Sequence, residues 1–269
     1  MSYIDNASME ISDEDKRWAS SLIDQCIKNY GVNGNHNSLY YMPSCLNYIK
    51  DLVTKNINKE NIIKFLVNTK KLSMQLFNEL ISKYNVELLL PTNVDPKKDI
   101  EIYVWPSLLS DNSKEFYSLT LYTWFSFSFK PGDGKSELEP ITFLFYKEKN
   151  DFLLLTAYAR VHYDLCEYDL IKRKDLKILF ANFGHTPNIT DINYVRVNCP
   201  KIKSNSKKTG RNYWDRIWLS AGNIFARIIG VNRIPLKTAS KIIKISFLGC
   251  LPKTANNPFK SPIYPLQFF

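Results

Sequence analysis

At 269 residues, with 45% apolar and 14% aromatic side chains, the chain is too rich in core-forming residues to be disordered. It is long enough for one large domain or two small ones. A membrane-spanning helix needs roughly 20 predominantly apolar residues, and the longest stretch free of Lys, Arg, Asp and Glu, residues 29–49, is broken by Asn, Gly, His and Pro. The formal charge of +10 is placed unevenly. Residues 201–269 hold 13 Lys and Arg against one acid, Asp215, while residues 1–200 hold 23 bases and 25 acids. A skew of this size expects an anionic partner: nucleic acid, an anionic membrane surface or an acidic protein.

Met1 to Asp15 is acidic and lacks an apolar core, so no signal peptide is expected. Ser12-Asp13-Glu14-Asp15 reads as a helix start, with a serine cap and acids at the positive end of the dipole. Trp18, Leu22, Cys26 and Tyr30 follow at helical spacing, and Gly31 ends the run. Pro43-Ser44 opens a second predicted helix. Asn58 caps a third, carrying Ile62, Ile63, Leu66 and Val67, and Ser73 caps a fourth, carrying Phe77, Leu80 and Ile81. The last two, joined by about four residues, have helix-turn-helix spacing, although the turn lacks glycine and the region is electrically neutral. An ordinary helical cap explains the pattern equally.

Residues 91–99 read as a linker, and Ile100 to Trp105 as a strand ended by Pro106. Phe116 to Tyr163 reads as three strands laid back and forth. In the first, the odd positions from Tyr117 to Phe129 are mostly apolar, and the even ones include Ser118, Thr120, Ser126 and Ser128. Successive side chains of a strand point to opposite faces, so this alternation marks a half-buried strand. Ile141 to Tyr146 returns, and Phe152 to Tyr163 makes the third pass, with Leu153, Leu155, Ala157, Ala159 and Val161 predicted on one face. Further strands are expected at 176–183 and 192–197, and 201–212 reads as loop. Tyr213 to Ile229 reads as an amphipathic helix, with Trp214, Ile217, Trp218, Ala221, Ile224, Phe225 and Ile228 on one face and Gly230 as its stop. Residues 238–248 fit helix or strand, and the tail from Pro252 is extended.

The expected architecture is α+β. Residues 1–90 form a helical cap on an antiparallel aromatic-rich β-meander. Residues 91–269 supply that sheet, a long C-terminal amphipathic helix packed on it and a proline-containing tail, and are expected to form one compact unit with the cap.

The chemistry-bearing residues are few. Lys201, Lys203, Lys207, Lys208 and Arg211 run into Arg216, and Lys237, Lys241 and Lys244 extend the same basic section. Lysines neutralise phosphates and release counterions, and the interleaved aromatics can stack on unpaired bases or simply pack. Tyr158, Arg160 and His162 form a polar row on the third strand, where an Arg and a His could bind phosphate and move a proton. Cys45, at the start of a predicted helix, could be a thiolate nucleophile paired with His162. The five cysteines are scattered, without a C-x-x-C pair, which expects reduced thiols in the cytoplasm or another reducing compartment, and no metal site. There is no phosphate-binding loop, dinucleotide fingerprint, zincin motif or serine-nucleophile elbow. The expectation is therefore a non-enzymatic, cofactor-free polyanion-binding protein that engages nucleic acid through its basic C-terminal face. The alternatives are an effector or assembly module docking an acidic protein, and a Cys/His hydrolase.

Overall fold

The computed structural model describes residues 11–30, 58–111, 114–127, 136–161, 164–171, 173–180, 185–190, 201–202, 217, 221–222 and 224–249. The chain is mixed α+β, with two sheets of mostly antiparallel strands and few helices.

Helix α1 spans Asp13–Tyr30, and its first turn is acidic. The Ser12 hydroxyl accepts from the Asp15 backbone N–H at 3.2 Å, satisfying one of the donors that a helix start leaves open. Ala19, Leu22 and Ile23 form its buried stripe. Helix α2, Lys59–Lys83, is 25 residues long and is capped by Asn58, whose side chain accepts from the Glu60 N–H at 2.9 Å.

One long α2 replaces the two helices expected here, so there is no helix-turn-helix. Nothing between Thr69 and Leu72 breaks a helix, since lysine and leucine are good helix formers. Ser73 is not a cap: it is buried mid-helix, and its hydroxyl donates to the Lys70 carbonyl at 2.7 Å. Lys70 also ties α2 to α1. Its ammonium lies 3.6 Å from the Asp15 carboxylate and 4.2 Å from the centre of the Trp18 ring.

The larger sheet has seven strands. In chain order they are β2 (Ile100–Asp111), β3 (Lys114–Phe125), β4 (Glu137–Glu148), β5 (Asp151–Val161), β6 (Asp164–Asp169), β9 (Lys201–Ile202) and β11 (Lys244–Phe247). Their spatial order is β11-β2-β3-β4-β5-β6-β9, with β11 parallel to β2 and the other pairs antiparallel. The smaller sheet, in the order β10-β1-β7-β8, comprises β1 (Asn85–Pro91), β7 (Asp175–Phe180), β8 (Pro187–Thr190) and β10 (Val231–Pro235). A short helix α3, Leu236–Ala239, joins β10 to β11.

Both faces of the seven-stranded sheet are covered. One face carries Ile102, Val104, Leu119, Leu121, Phe125, Ile141, Phe143 and Phe145, all at most 2% exposed, in one cluster with Leu88, Ile178 and Phe180 of the smaller sheet. The other face presents Tyr103, Trp105, Tyr122 and Leu138 to Leu22 and Ile23 of α1 and to Ile62 and Leu66 of α2. Each large apolar side chain removed from water contributes about 1.5–3 kcal/mol before entropy is counted. The polar members of that second face are therefore not a solvent surface. Ser118 and Thr120 are buried, and the Thr120 and Thr142 hydroxyls meet across the strands at 2.9 Å.

The predicted phase of β5 is corrected. Phe152 and Leu154 are buried, Leu153 is 40% exposed, and Ala157 and Ala159 are buried again. The register jumps from Leu144↔Thr156 to Phe145↔Leu154, so Leu155 is an extra residue. One extra residue reverses which side chains face the core.

Pro106 does not end its strand. It pairs with Leu119 inside β2, beyond Val104, the last residue paired to β11, where an outer flank tolerates proline.

Candidate functional site

The basic C-terminal section is described in part. Lys201 lies in β9, where its backbone pairs with Glu167. Lys203, Lys207, Lys208, Arg211 and Arg216 lie outside the described residues, as do Cys45 and His162. Arg160 lies in β5 opposite Leu165, with its side chain not described. Its strand neighbour Tyr158 is buried. Lys237 on α3 and Lys241 in the following turn are exposed, and neither is in an ion pair among the described residues. Lys244 on β11 donates to Glu101 on β2 at 3.0 Å, and Arg233 on β10 lies 3.5 Å from Glu87 on β1. Two C-terminal cations thus meet carboxylates from earlier in the chain.

Local topology builds a groove around Lys237. The end of α2 feeds directly into β1. The Asn85 N–H donates to the Lys174 carbonyl at 2.8 Å, which starts the parallel β1–β7 pair. On the other flank Glu87 pairs with Pro235, the residue before α3. Lys83, Lys174 and Lys237 therefore line one open groove of about 310 Å³, together with Ser82 and Asn85.

The three lysines are not equivalent. Lys83 is held by Glu79 at 2.7 Å and by Asp151. Burial pushes its ammonium pKa down, but the hydrogen bonds to Asp151 and Glu79 outweigh that and hold it above its usual value. Asp151 is correspondingly lowered, first by the hydrogen bond from Lys83. Lys174 and Lys237 are exposed and in no ion pair among the described residues.

A second cluster was missed by sequence reasoning. His185 is fully buried, its Nδ1 lies 3.1 Å from a Glu137 carboxylate oxygen, and its ring stacks on Phe125 at 4.0 Å and 5°. Its φ of 44° is left-handed, a conformation that persists where the surroundings fix it. The readable signal was phase: Glu137 and Glu139 share a face with Ile141, Phe143 and Phe145, and carboxylates on a core face require partners. With both side chains at most 4% exposed, the pair fixes the end of the sheet interface and is closed to substrate.

Cys166, buried on β6, is disulfide-bonded, and its partner side chain is not among those described. The scattered spacing of the cysteines gave no expectation of a disulfide, and at Cys166 the structure differs. No group of three or more His, Cys, Asp or Glu side chains among the described residues is placed to hold a metal ion. No protein-family model, curated protein or solved structure matches the chain.

Proposed function

We propose that this chain is a non-enzymatic polyanion-binding protein that engages nucleic acid through its basic C-terminal section. The observation that carries the reading is the 13 to 1 ratio of bases to acids in residues 201–269. The exposure of Lys237 and Lys241, neither ion-paired among the described residues, supports it. So does the placing of Lys237 beside Lys174 in a groove. Attraction of this kind is independent of base sequence and weakens with salt, because each phosphate neutralised releases condensed counterions.

Titration of the full chain against single- and double-stranded oligonucleotides at rising salt tests the reading. The expected result is binding whose log K falls linearly with log salt. Absent binding, or binding indifferent to salt, overturns it.

A further inference from the structure

The groove at the end of α2 holds an aromatic ring as well as cations. Tyr84 is the residue at which α2 stops: its backbone is extended, and its N–H donates to the Leu80 carbonyl at 3.1 Å. Its side chain is half-buried, packed against the main core cluster, and it also lines the groove. Most of the polar lining is already committed. The Ser82 hydroxyl donates to the Glu79 carbonyl at 3.3 Å, the Asn85 amide donates to Asp175 at 3.1 Å, and Lys83 is held by Glu79 and Asp151. Lys174 and Lys237 are exposed and in no ion pair among the described residues. They come from opposite sides of β1. Lys174 immediately precedes β7, and Lys237 follows β10. Two strand spacings, about 10 Å, separate those flanking backbones, and Tyr84 enters β1 between them.

We infer that this groove is where a single-stranded nucleic acid docks, with backbone phosphates against Lys174 and Lys237 and one unpaired base against the Tyr84 ring. The inference rests on the nucleic-acid reading and adds to it a place and a strand preference. Cations that track a backbone beside an aromatic platform are the recurring means of holding a single strand. A free inorganic anion would engage the lysines and leave the ring unused. A duplex offers phosphates, but its bases are stacked on one another and present no face to a tyrosine. A groove of about 310 Å³ is at the small end of ligand sites, which suits one unstacked nucleotide. Because the Ser82 and Asn85 donors are spent within the protein, charge and ring do the holding. Binding is therefore tolerant of base sequence.

The test is titration of the full chain and its variants with a single strand, and with a duplex of the same sequence, at several salt concentrations. Tyr84→Leu keeps apolar bulk and removes the ring. It should weaken single-strand binding by roughly tenfold, the effect of losing one stacked base, with duplex binding and the slope of log K against log salt unchanged. Tyr84→Phe, which keeps the ring, should recover the lost affinity. Lys174→Gln should flatten the single-strand slope by about 0.7, one phosphate contact. Three results overturn the inference and leave the nucleic-acid reading standing: oligonucleotide binding untouched by both Tyr84→Leu and Lys174→Gln, equal losses for single strand and duplex in Tyr84→Leu, or a loss that Tyr84→Phe does not recover. Absence of any oligonucleotide binding by the wild type overturns both.

Discussion

The double-sheet body and the C-terminal quarter use their side chains in opposite ways. In the body, acids and bases balance, and aromatic residues vanish between layers: Phe125, Phe143 and Phe145 are each fully buried. Some of the cations it exposes are matched, as Lys147 is by Glu115 at 3.2 Å. In the C-terminal quarter cations outnumber acids 13 to 1, and isoleucines stand in solvent. The contrast separates what holds the molecule together from what is available for another molecule. Substitutions in the body should act on stability, and substitutions in the last quarter should act on binding.

The largest effect should come from the body's centre. Phe143→Ala should cost about 3–5 kcal/mol in chemical denaturation, the range for emptying a large core site; a loss under about 1 kcal/mol would show that the two-sheet core is not built as described. Next is His185→Ala, which removes the stack on Phe125 and a hydrogen bond to Glu137, and should cost about 2–3 kcal/mol. Tyr168→Phe should cost about 1 kcal/mol, because it deletes the bond from the buried Tyr168 hydroxyl to Asn188 Oδ1 at 2.7 Å. That hydroxyl also has a pH signature. Burial holds its pKa above the ordinary tyrosine value. Its stabilising contribution is therefore complete below pH about 10, the unfolded value, and is lost as pH rises towards the folded one. Alkaline titration followed at the phenolate absorbance band should show Tyr168, and Tyr117, which burial and the Glu115 carboxylate also raise, ionising well above the ordinary tyrosine range. The smallest effect on stability belongs to the last quarter: Lys237→Glu combined with Lys241→Glu should move the denaturation midpoint by less than about 0.5 kcal/mol, while measurably weakening oligonucleotide binding.

The parts of the fold that were legible in the sequence are those with one periodicity and one covered face. Odd positions of β3 alternate cleanly, and Ser12, Asn58 and Gly230 punctuate their helices as their chemistry dictates. β1 was illegible because Leu88, Leu89 and Leu90 are all buried, so no alternation survives. β5 misled because Leu155 reverses the phase midway. The helix junction at Thr69 to Ser73 misled because lysines look like a turn but propagate a helix. The groove was half legible: Lys237 belongs to the basic section, whereas Lys83 and Lys174 come from charge-balanced segments and join it only through β1 pairing. The buried His185–Glu137 contact spans 48 residues, and only the misplaced phase of Glu137 announced it.

The central claim is that the last quarter supplies the anion-binding charge while the body supplies the scaffold. Its most direct test is the slope of log K against log salt for a single-stranded oligonucleotide, in the wild type and in a variant with Lys201, Lys203, Lys207 and Lys208 changed to Gln. Each lost phosphate contact should flatten the slope by about 0.7, so removal of all four should flatten it by nearly 3 with the melting midpoint unchanged. Equal slopes in the two proteins would contradict the account.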